Sequence, residues 1–361
     1  MFLALRDLRV GRARFVLVGV VIGLVALLTT LLSGLATGLV DDGISGLRGL
    51  PLTHLALQPG AESSFSRSTL RPKDLEPWTA AKGVDVAPLG VSFFNAKTAG
   101  GDTLDLALFG TPPDSFLAPN AEARAALAGK PGVVLSEEFQ KEGVKVGDVL
   151  TIVGPDVELP VLGFTYTGSY GHVDIAFTSL EVWQNLVYGD SAAGRFSAIA
   201  IRGGDSAVYA EADRAAGTVT ETKTAAYAGS PGYSAETATM TLIRMFLLVI
   251  SALIVGAFFT VWTIQRTRQI GLMKALGASN GYVLRDALGQ LAIVLVTATA
   301  AGTAVAVGFG QLVGSGVPFS LQAGPVLTSA AILIVLGLAG SLVAIRKVTT
   351  VDPIIALGAD H

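Results

Sequence analysis

Four long apolar segments are spread unevenly along the chain, one near the start and three close together near the end. The first, residues 15–40, contains no charged side chain, and the others lie within residues 236–264, 282–313 and 326–345. A run of about 20 apolar residues spans the hydrocarbon core of a bilayer. The spacing therefore predicts four transmembrane helices, one plus three, with residues 41–235 inserted between the first and the second as a large domain.

The composition agrees with a membrane protein and excludes several other classes. Charged residues make up only 15% of the chain, whereas soluble domains carry about 25%. The formal net charge of −3 gives no reason to expect a nucleic-acid partner. Because the chain has no cysteine, disulfides, cysteine-based metal sites and thiol chemistry are excluded. The three histidines, His54, His172 and His361, are scattered, and no metal site is predicted.

The basic residues predict how the helices are oriented. They cluster in residues 1–14, 265–281 and 346–361, whereas the short loop 314–325 carries no charge. Cytoplasmic segments next to membrane spans are enriched in lysine and arginine. We therefore expect a multi-pass protein of the plasma or inner membrane with both termini in the cytoplasm. Residues 41–235 would then be extracellular or periplasmic.

The inserted domain reads as an α+β fold. Short β-like runs alternate with polar helical runs and are separated by Gly, Pro and Asp. The β-like runs are residues 54–58, 97–110, 132–136, 146–154, 157–168 and 197–203, and the helical runs are 136–143, 179–189 and 205–217. No catalytic constellation and no phosphate-binding G-x-x-x-x-G-K-[ST] loop is present. The chain is therefore expected to be a non-catalytic subunit with no intrinsic cofactor.

The loop between the second and third apolar segments has a helical pattern over residues 265–281. Its apolar members are Ile270, Met273 and Leu276, and its basic members are Arg268 and Lys274. One interpretation is an interfacial helix that lies on lipid. The other is a coupling helix that docks into a groove of another protein.

The same loop carries a family resemblance. Its sequence R-x-R-Q-I-G-L-M-K-A-L-G-A-S resembles the signature of MacB/FtsX-type ABC transporter permeases, and the tail V-T-T-V-D-P-I-I-A-L resembles the ending of that family. The resemblance implies a homodimeric permease that works with two copies of a separate ATPase, which binds the ATP. The residues implied to couple to that ATPase are Arg268, Gln269, Ile270, Gly271, Met273, Lys274, Leu276 and Gly277. Gln269 stands where the family commonly has glutamate.

Small residues in the first apolar segment favour close helix packing. Gly34 and Gly38 are spaced as G-x-x-x-G, a pattern that lets two helix backbones approach each other. This pattern is only weakly specific, because it also arises by chance on surfaces that face lipid. Our hypothesis places Gly34 and Gly38 at the homodimer interface.

The junction between the inserted domain and the second apolar segment is the candidate ligand site. Glu236, Met240 and Arg244 recur every four residues, and Tyr233 precedes them by a turn. One interpretation is interfacial, with Glu236 paired to Arg244 and Tyr233 in an aromatic belt. The other is a heme site, since Glu, Tyr and Met can ligate or flank heme iron and Arg can meet a propionate.

Residues of the inserted domain complete the candidate ligand set. Tyr170 and His172 are possible further contributors from that domain, although His172 is equally explained as a residue of a surface loop. The candidate heme-binding residues are Tyr233, Glu236, Met240, Arg244, Tyr170 and His172.

The junction and the segment around Tyr170 are similar to those of heme-exporting permeases of the HrtB type. That resemblance implies outward export of heme, which enters laterally from membrane lipid. Two alternatives stay open at this point. One is a permease that handles lipoproteins or peptides, and the other is an FtsX-like transmitter of signals that transports nothing.

Overall fold

The computed structural model describes residues 12–265, 271–272, 276–312 and 317–349. Contacts divide the chain into two compact units. We call residues 1–39 with 237–361 the helical unit, and residues 40–236 the inserted unit. The predicted basic N-terminal segment and the predicted tail lie largely outside the described residues.

The helices and strands follow one another in the predicted one-plus-three arrangement. The helices are α1 (Arg12–Gly49), α2 (Pro72–Ala80), α3 (Ala121–Gly129), α4 (Glu137–Lys141), α5 (Leu180–Tyr188), α6 (Ser206–Ala216), α7 (Lys223–Ala226), α8 (Tyr233–Gln265), α9 (Asn280–Gly310) and α10 (Ala323–Thr349). The strands are β1 (His54–Leu57), β2 (Val84–Lys97), β3 (Thr103–Thr111), β4 (Val133–Ser136), β5 (Val149–Ile152), β6 (Val157–Thr165), β7 (Ser169–Tyr170), β8 (Val173–Ser179), β9 (Ala198–Gly203) and β10 (Val219–Thr222).

Within the part of the chain that the structure describes, four helices are long and apolar enough to cross a membrane. The candidate spans are Phe15–Gly49, Tyr233–Phe258, Leu284–Gly310 and Ala323–Leu342. Together with the α+β domain between the first two spans, they confirm the predicted fold class. Helix α1 continues to Gly49, through residues that the sequence pattern had assigned to the inserted domain.

The inserted unit is built on a ten-stranded mixed sheet. Nine strands follow the order β10-β1-β9-β2-β3-β8-β4-β6-β5, and β7 pairs with β8 outside this order. Strand β5 also pairs with the end of β2. The strands from β2 through β3, β8, β4 and β6 to β5 therefore form a closed ring of paired strands. Alternate residues of a strand face opposite sides of a sheet. Accordingly, β3 contributes Ala107 and Phe109 to one buried apolar cluster and Leu106 and Leu108 to a second.

The helical unit has its own apolar core. Side chains of α1, α8, α9 and α10 meet in a cluster that includes Ile22, Val255, Leu291 and Leu333. The other sides of these helices carry exposed apolar side chains, such as Leu17 on α1 and Leu253 on α8. Apolar side chains on the outside of long helices are the expected surface of a protein whose solvent there is lipid.

Candidate functional site

A tight turn at the end of the β7–β8 hairpin fixes the position of His172. Ser169 pairs with Asp174 and Tyr170 with Val173, which leaves Gly171 and His172 as a two-residue turn. Both turn residues have positive φ, 60° at Gly171 and 62° at His172. This is the pattern of a type I′ turn, whose twist suits a β-hairpin.

The His172 imidazole lies between two carboxylates of the inserted unit. Its Nδ1 is 2.8 Å from Asp42 Oδ2, and its Nε2 is 3.0 Å from Glu236 Oε1 and 3.2 Å from Oε2. Ser169 Oγ donates to the other oxygen of Asp42 over 3.1 Å. We call these three residues the Asp42–His172–Glu236 cluster. Because both ring nitrogens face carboxylates, only the protonated imidazolium can donate to both of them.

Backbone contacts hold the turn against the last part of α1. The Gly43 carbonyl accepts hydrogen bonds from Gly171 N at 2.9 Å and from Ser230 Oγ at 2.6 Å. Ser169 N donates to Ser45 Oγ over 2.9 Å. The hairpin, the end of α1 and the segment before α8 are therefore joined within the inserted unit by hydrogen bonds as well as by the cluster.

The surroundings favour a charged His172. Burial alone would lower the pKa of His172, but the hydrogen bonds and negative charges of Asp42 and Glu236 outweigh it and raise the pKa above 6.5. Burial and neighbouring carboxylates raise the pKa of Asp174, on β8, to about 6. Among the described residues no group of His, Asp and Glu side chains is arranged to hold a metal ion.

The protonation of His172 predicts a pH dependence of stability. A raised folded-state pKa adds stability that is fully present below the unfolded pKa of 6.5 and is lost as the pH rises through the folded pKa. The loss is at most about 1 kcal/mol, because the His172 side chain is 30% exposed and such ion pairs are weak. We therefore expect the melting temperature of the protein to decrease when the pH is raised from 6.5 to 9.

The measurement compares the full chain with His172→Asn in detergent at both pH values. Asparagine tolerates the positive φ of this position, so the turn is preserved. All other titrating groups are the same in the two proteins. Their effects therefore cancel when the pH-induced change in melting temperature of one protein is subtracted from that of the other. Equal pH dependence of the melting midpoint in the two proteins would show that His172 is not held by the carboxylates.

The structure brings together only part of the predicted ligand set. Tyr170 is 2% exposed and packs among Phe65, Phe93 and Phe109, so its side chain belongs to the core of the inserted unit, and a ligand contact for it stays a prediction. Tyr233 begins α8 and its ring packs against Tyr227.

His172 and Glu236 do meet, but each is occupied by the other. The paired carboxylate and imidazole leave neither side chain free to bind iron in this arrangement. The alternative pairing of Glu236 with Arg244 does not occur among the ion pairs of the described residues.

Met240 and Arg244 belong to the helical unit, where both side chains are half-buried on α8. Arg244 Nη2 donates to the Ser33 carbonyl at 3.2 Å and lies 3.4 Å from Ser33 Oγ. The guanidinium thus contacts α1 through uncharged oxygens.

Gly34 and Gly38 pack against residues of their own chain. A Cβ on Gly34 would lie 2.5 Å from Phe319 Cζ, and a Cβ on Gly38 would overlap the Pro318 carbonyl and lie 2.6 Å from Phe319 N. Ser320 N also donates to the Gly34 carbonyl at 3.0 Å. The close approach that the spacing predicted is therefore present within one chain, and a dimer interface at these glycines stays a prediction.

The predicted coupling helix, residues 265–281, is described only in part. Arg268, Gln269, Ile270, Met273 and Lys274 lie outside the described residues. Gly271 is buried, Gly277 has a φ of 93°, and Leu276 between them in sequence is 81% exposed. An apolar side chain this exposed fits either predicted role of the segment, docking to protein or contact with lipid.

Sequence reasoning missed Asp42, Ser33 and Thr237. Asp42 lies beyond the apolar run of α1, at the predicted start of the inserted domain. Ser33 and Thr237 are small hydroxyl residues in or beside apolar runs, where nothing local marks them. The one available signal for Asp42 was the helical spacing of Ile44 and Leu47, which continues α1 past residue 40.

Comparison with protein families concerns the C-terminal part of the chain. Residues 242–353 match the family described as FtsX-like permease C-terminal. This region is therefore similar to an FtsX-like permease domain. This agrees with the resemblance noted in the loop between α8 and α9, which falls inside the matched region.

Two curated proteins illustrate what the chain is similar to, one along its whole length and one along a third of it. The chain is 25% identical over 358 residues to the protein of Staphylococcus haemolyticus named putative hemin transport system permease protein HrtB, covering 99% of each chain. A protein of Mycobacterium tuberculosis named uncharacterized ABC transporter permease is 29% identical over 119 residues, which is 33% of this chain and 34% of that protein.

Among solved structures, the permease is similar to the periplasmic region of MacB from Actinobacillus actinomycetemcomitans. The similarity covers 49% of this chain and 92% of that one, with 13% identity and a TM-score of 0.36. A score at this level does not by itself establish a common fold.

Proposed function

We propose that this permease is the membrane subunit of an ATP-driven efflux pump whose cargo is heme. The observation that carries the proposal is the end-to-end similarity to permeases named for hemin transport. It includes the inserted unit as well as the matched permease domain, and so it is not explained by a shared membrane domain alone.

In the proposed assembly, two copies of the permease work with two copies of a separate ATPase. The ATPase docks on residues 265–281, where Leu272 and Leu276 are exposed. Both termini lie in the cytoplasm, as the basic residues predict, and the inserted unit lies on the other side of the membrane. ATP-driven movement at the docking segment then drives heme outward.

The proposed contact with heme lies along α8. Met240 is half-buried there, and its thioether is a known type of axial ligand to heme iron. Arg244 follows one turn later and supplies a positive charge suited to a propionate. Tyr233 and Glu236 occupy the first turn of the same helix. Because Glu236 is already paired with His172, Met240 is the residue we assign to the iron.

Replacing Met240 by leucine is expected to change the absorption spectrum of heme bound to the purified permease and to weaken binding. Leucine preserves the volume of the side chain but removes the sulfur. The matched control is Met245→Leu on the same helix, because Met245 is 60% exposed and on another face. Spectra of the wild type and both variants, recorded at equal heme loading, test the assignment. A Met240→Leu spectrum identical to that of the wild type would exclude Met240 as a ligand.

The cargo itself is tested by ATP hydrolysis of the permease reconstituted with its ATPase. Heme should stimulate hydrolysis, whereas peptides and acylated peptides at equal concentration should not. Stimulation by acylated peptides alone would favour the lipoprotein-handling alternative. Hydrolysis that responds to none of these ligands would favour the signal-transmitting alternative and contradict the proposal.

A further inference from the structure

Arg244 is a charged residue in an apolar stretch of helix. It lies within the candidate membrane span Tyr233–Phe258, between the exposed apolar side chains of Ile243 and Met245. A charged side chain within a membrane span is costly, and it normally faces a partner of opposite charge, a cavity or a ligand. The contacts of the guanidinium therefore determine whether this charge is stabilised within the span.

The contacts among the described residues leave the charge of Arg244 without a counter-charge. Both acceptors of Nη2, the carbonyl and hydroxyl oxygens of Ser33, are uncharged. The Ser33 carbonyl also accepts from Thr37 Oγ1 at 2.8 Å, so Arg244 shares it. Arg244 Nε is buried and has no hydrogen-bond partner. No ion pair among the described residues includes Arg244.

A second polar group on the same face is also unsatisfied. The Thr237 hydroxyl is buried and lacks a hydrogen-bond partner. Seven residues separate Thr237 from Arg244, which places them two turns apart on one face of α8. Ser33 faces Arg244 from α1, and all three residues belong to the helical unit. A cation without a counter-charge thus contacts the Ser33 hydroxyl, and it lies on the same face of α8 as the Thr237 hydroxyl, which has no partner among the described residues.

We propose that Arg244, with Ser33 and Thr237, forms an anion-binding site between α1 and α8 that receives a carboxylate or phosphate group of an amphipathic ligand. A guanidinium offers five N–H donors in a planar fork, which matches the two oxygens of such a group. The ligand anion supplies the missing counter-charge, and the hydroxyl groups supply neutral donors beside it. A ligand without an anionic group leaves the charge unmatched.

Two sources could provide the anion, namely a carboxylate of the cargo or the phosphate of a membrane lipid. The first source rests on the proposed function, because heme carries two propionates on an apolar ring. The second requires only that α8 crosses a bilayer. The site is therefore testable even where the cargo is not heme.

The first experiment uses the full chain in nanodiscs of phosphatidylcholine and follows binding by fluorescence. The probes are protoporphyrin IX, which has two carboxylates and no iron, and its dimethyl ester, which has the same ring without charge. We expect the acid to bind the wild type about 10-fold or more tightly than the ester, and Arg244→Gln to remove that preference. Arg244→Lys keeps the charge but loses the fork, so it should lower the affinity for the acid by less.

A control and a second lipid composition complete the design. Arg67→Gln removes an exposed arginine of the inserted unit and should bind both probes as the wild type does. In nanodiscs that contain phosphatidylglycerol, native mass spectrometry counts the anionic lipid retained by each variant. Loss of retained lipid in Arg244→Gln, with equal binding of acid and ester by the wild type, assigns the site to a lipid phosphate.

The outcomes separate the site from the cargo. If no porphyrin binds but lipid retention depends on Arg244, the proposed cargo fails and the anion site stands. If Arg244→Gln matches the wild type with both probes and in lipid retention, the anion site is excluded. If Arg244→Gln does not fold, Arg244→Lys serves as the test. A site that depends on the planar guanidinium must lose affinity for the porphyrin acid in Arg244→Lys, and unchanged affinity would exclude it.

Discussion

Replacing Gly38 by valine is expected to destabilise the helical unit by about 1–3 kcal/mol, the usual cost of overpacking a closely fitted contact. A side chain at this position would meet the backbone of Pro318 and Phe319 rather than a movable side chain. Neither helix α1 nor residues 317–321 can relieve that overlap by changing a rotamer, so one of them must shift. Such a shift would also disturb the hydrogen bond from Ser320 N to the Gly34 carbonyl.

The matched control is Gly308→Val, a helical position on α9 where an added Cβ would meet nothing within 4 Å. Both variants replace a helical glycine by valine and so change helix propensity in the same direction. The difference between them therefore reports the packing. Thermal unfolding in detergent measures stability, and light scattering coupled to gel filtration measures the oligomeric state. A Gly38→Val protein that melts like Gly308→Val but loses its dimer would instead favour the predicted role of Gly38 at the dimer interface.

This packing marks a limit of what spacing alone can predict. The G-x-x-x-G pattern correctly indicated that Gly34 and Gly38 admit a close neighbour. It could not identify the neighbour, because helix backbones and loop backbones satisfy the same steric condition. The contact with Pro318 joins residues far apart in sequence, and no local pattern records it.

The predicted membrane helices agreed with the structure because the signal is long. A run such as residues 326–345 contains no charged residue and is long enough to span a bilayer. Helices of soluble domains rarely have apolar runs of this length. The end of α1 was placed too early for a related reason. Beyond residue 40 the helix is polar on one side, and only Ile44 and Leu47 face the core of the inserted unit. Hydropathy falls there although the helix continues to Gly49.

The strand β2 was missed for most of its length. Pro88 and Gly90 lie inside it and usually indicate a turn, yet Pro88 pairs with Ile199 and Gly90 with Gly110 in the sheet. Tertiary pairing here overrides the local preference of the residues, which is common in strands.

The Asp42–His172–Glu236 cluster could not be predicted as a unit. His172 is separated by 130 residues from Asp42 and by 64 from Glu236, so only the fold brings them together. Tyr170 and His172 differ in burial because of their positions in the β7–β8 hairpin. Tyr170 is the last paired residue of β7 and faces the core, whereas His172 lies in the turn. The sequence prediction treated the two as one ligand group, whereas the structure places them in different surroundings.

Replacing Leu276 by aspartate is expected to abolish stable association with the ATPase while leaving the permease folded. Leu276 is 81% exposed, so the substitution removes little packing within the chain. In the proposed docking groove the same position would bury a charge without a partner. Loss of a central apolar anchor typically costs 2 kcal/mol or more, which is about a 30-fold decrease in affinity.

The matched control is Leu312→Asp, because Leu312 follows α9 and is also 81% exposed. Both variants add the same charge to an apolar surface position of the helical unit. Affinity for the ATPase is measured by surface plasmon resonance with the permease in nanodiscs. We expect a large loss for Leu276→Asp and wild-type affinity for Leu312→Asp. Heme binding should persist in both, because neither residue lies on the face of α8 assigned to heme.

The same pair of variants decides between the two predicted roles of the segment. An interfacial helix would lose contact with lipid when Leu276 is charged, but its affinity for the ATPase would change little. A coupling helix would lose the ATPase, and with it the stimulation of ATP hydrolysis by heme. If both variants weaken association equally, the effect is one of added negative charge, and Leu276 is not an anchor. Only the loss confined to Leu276→Asp supports direct docking, because exposure and charge are equal in the two proteins.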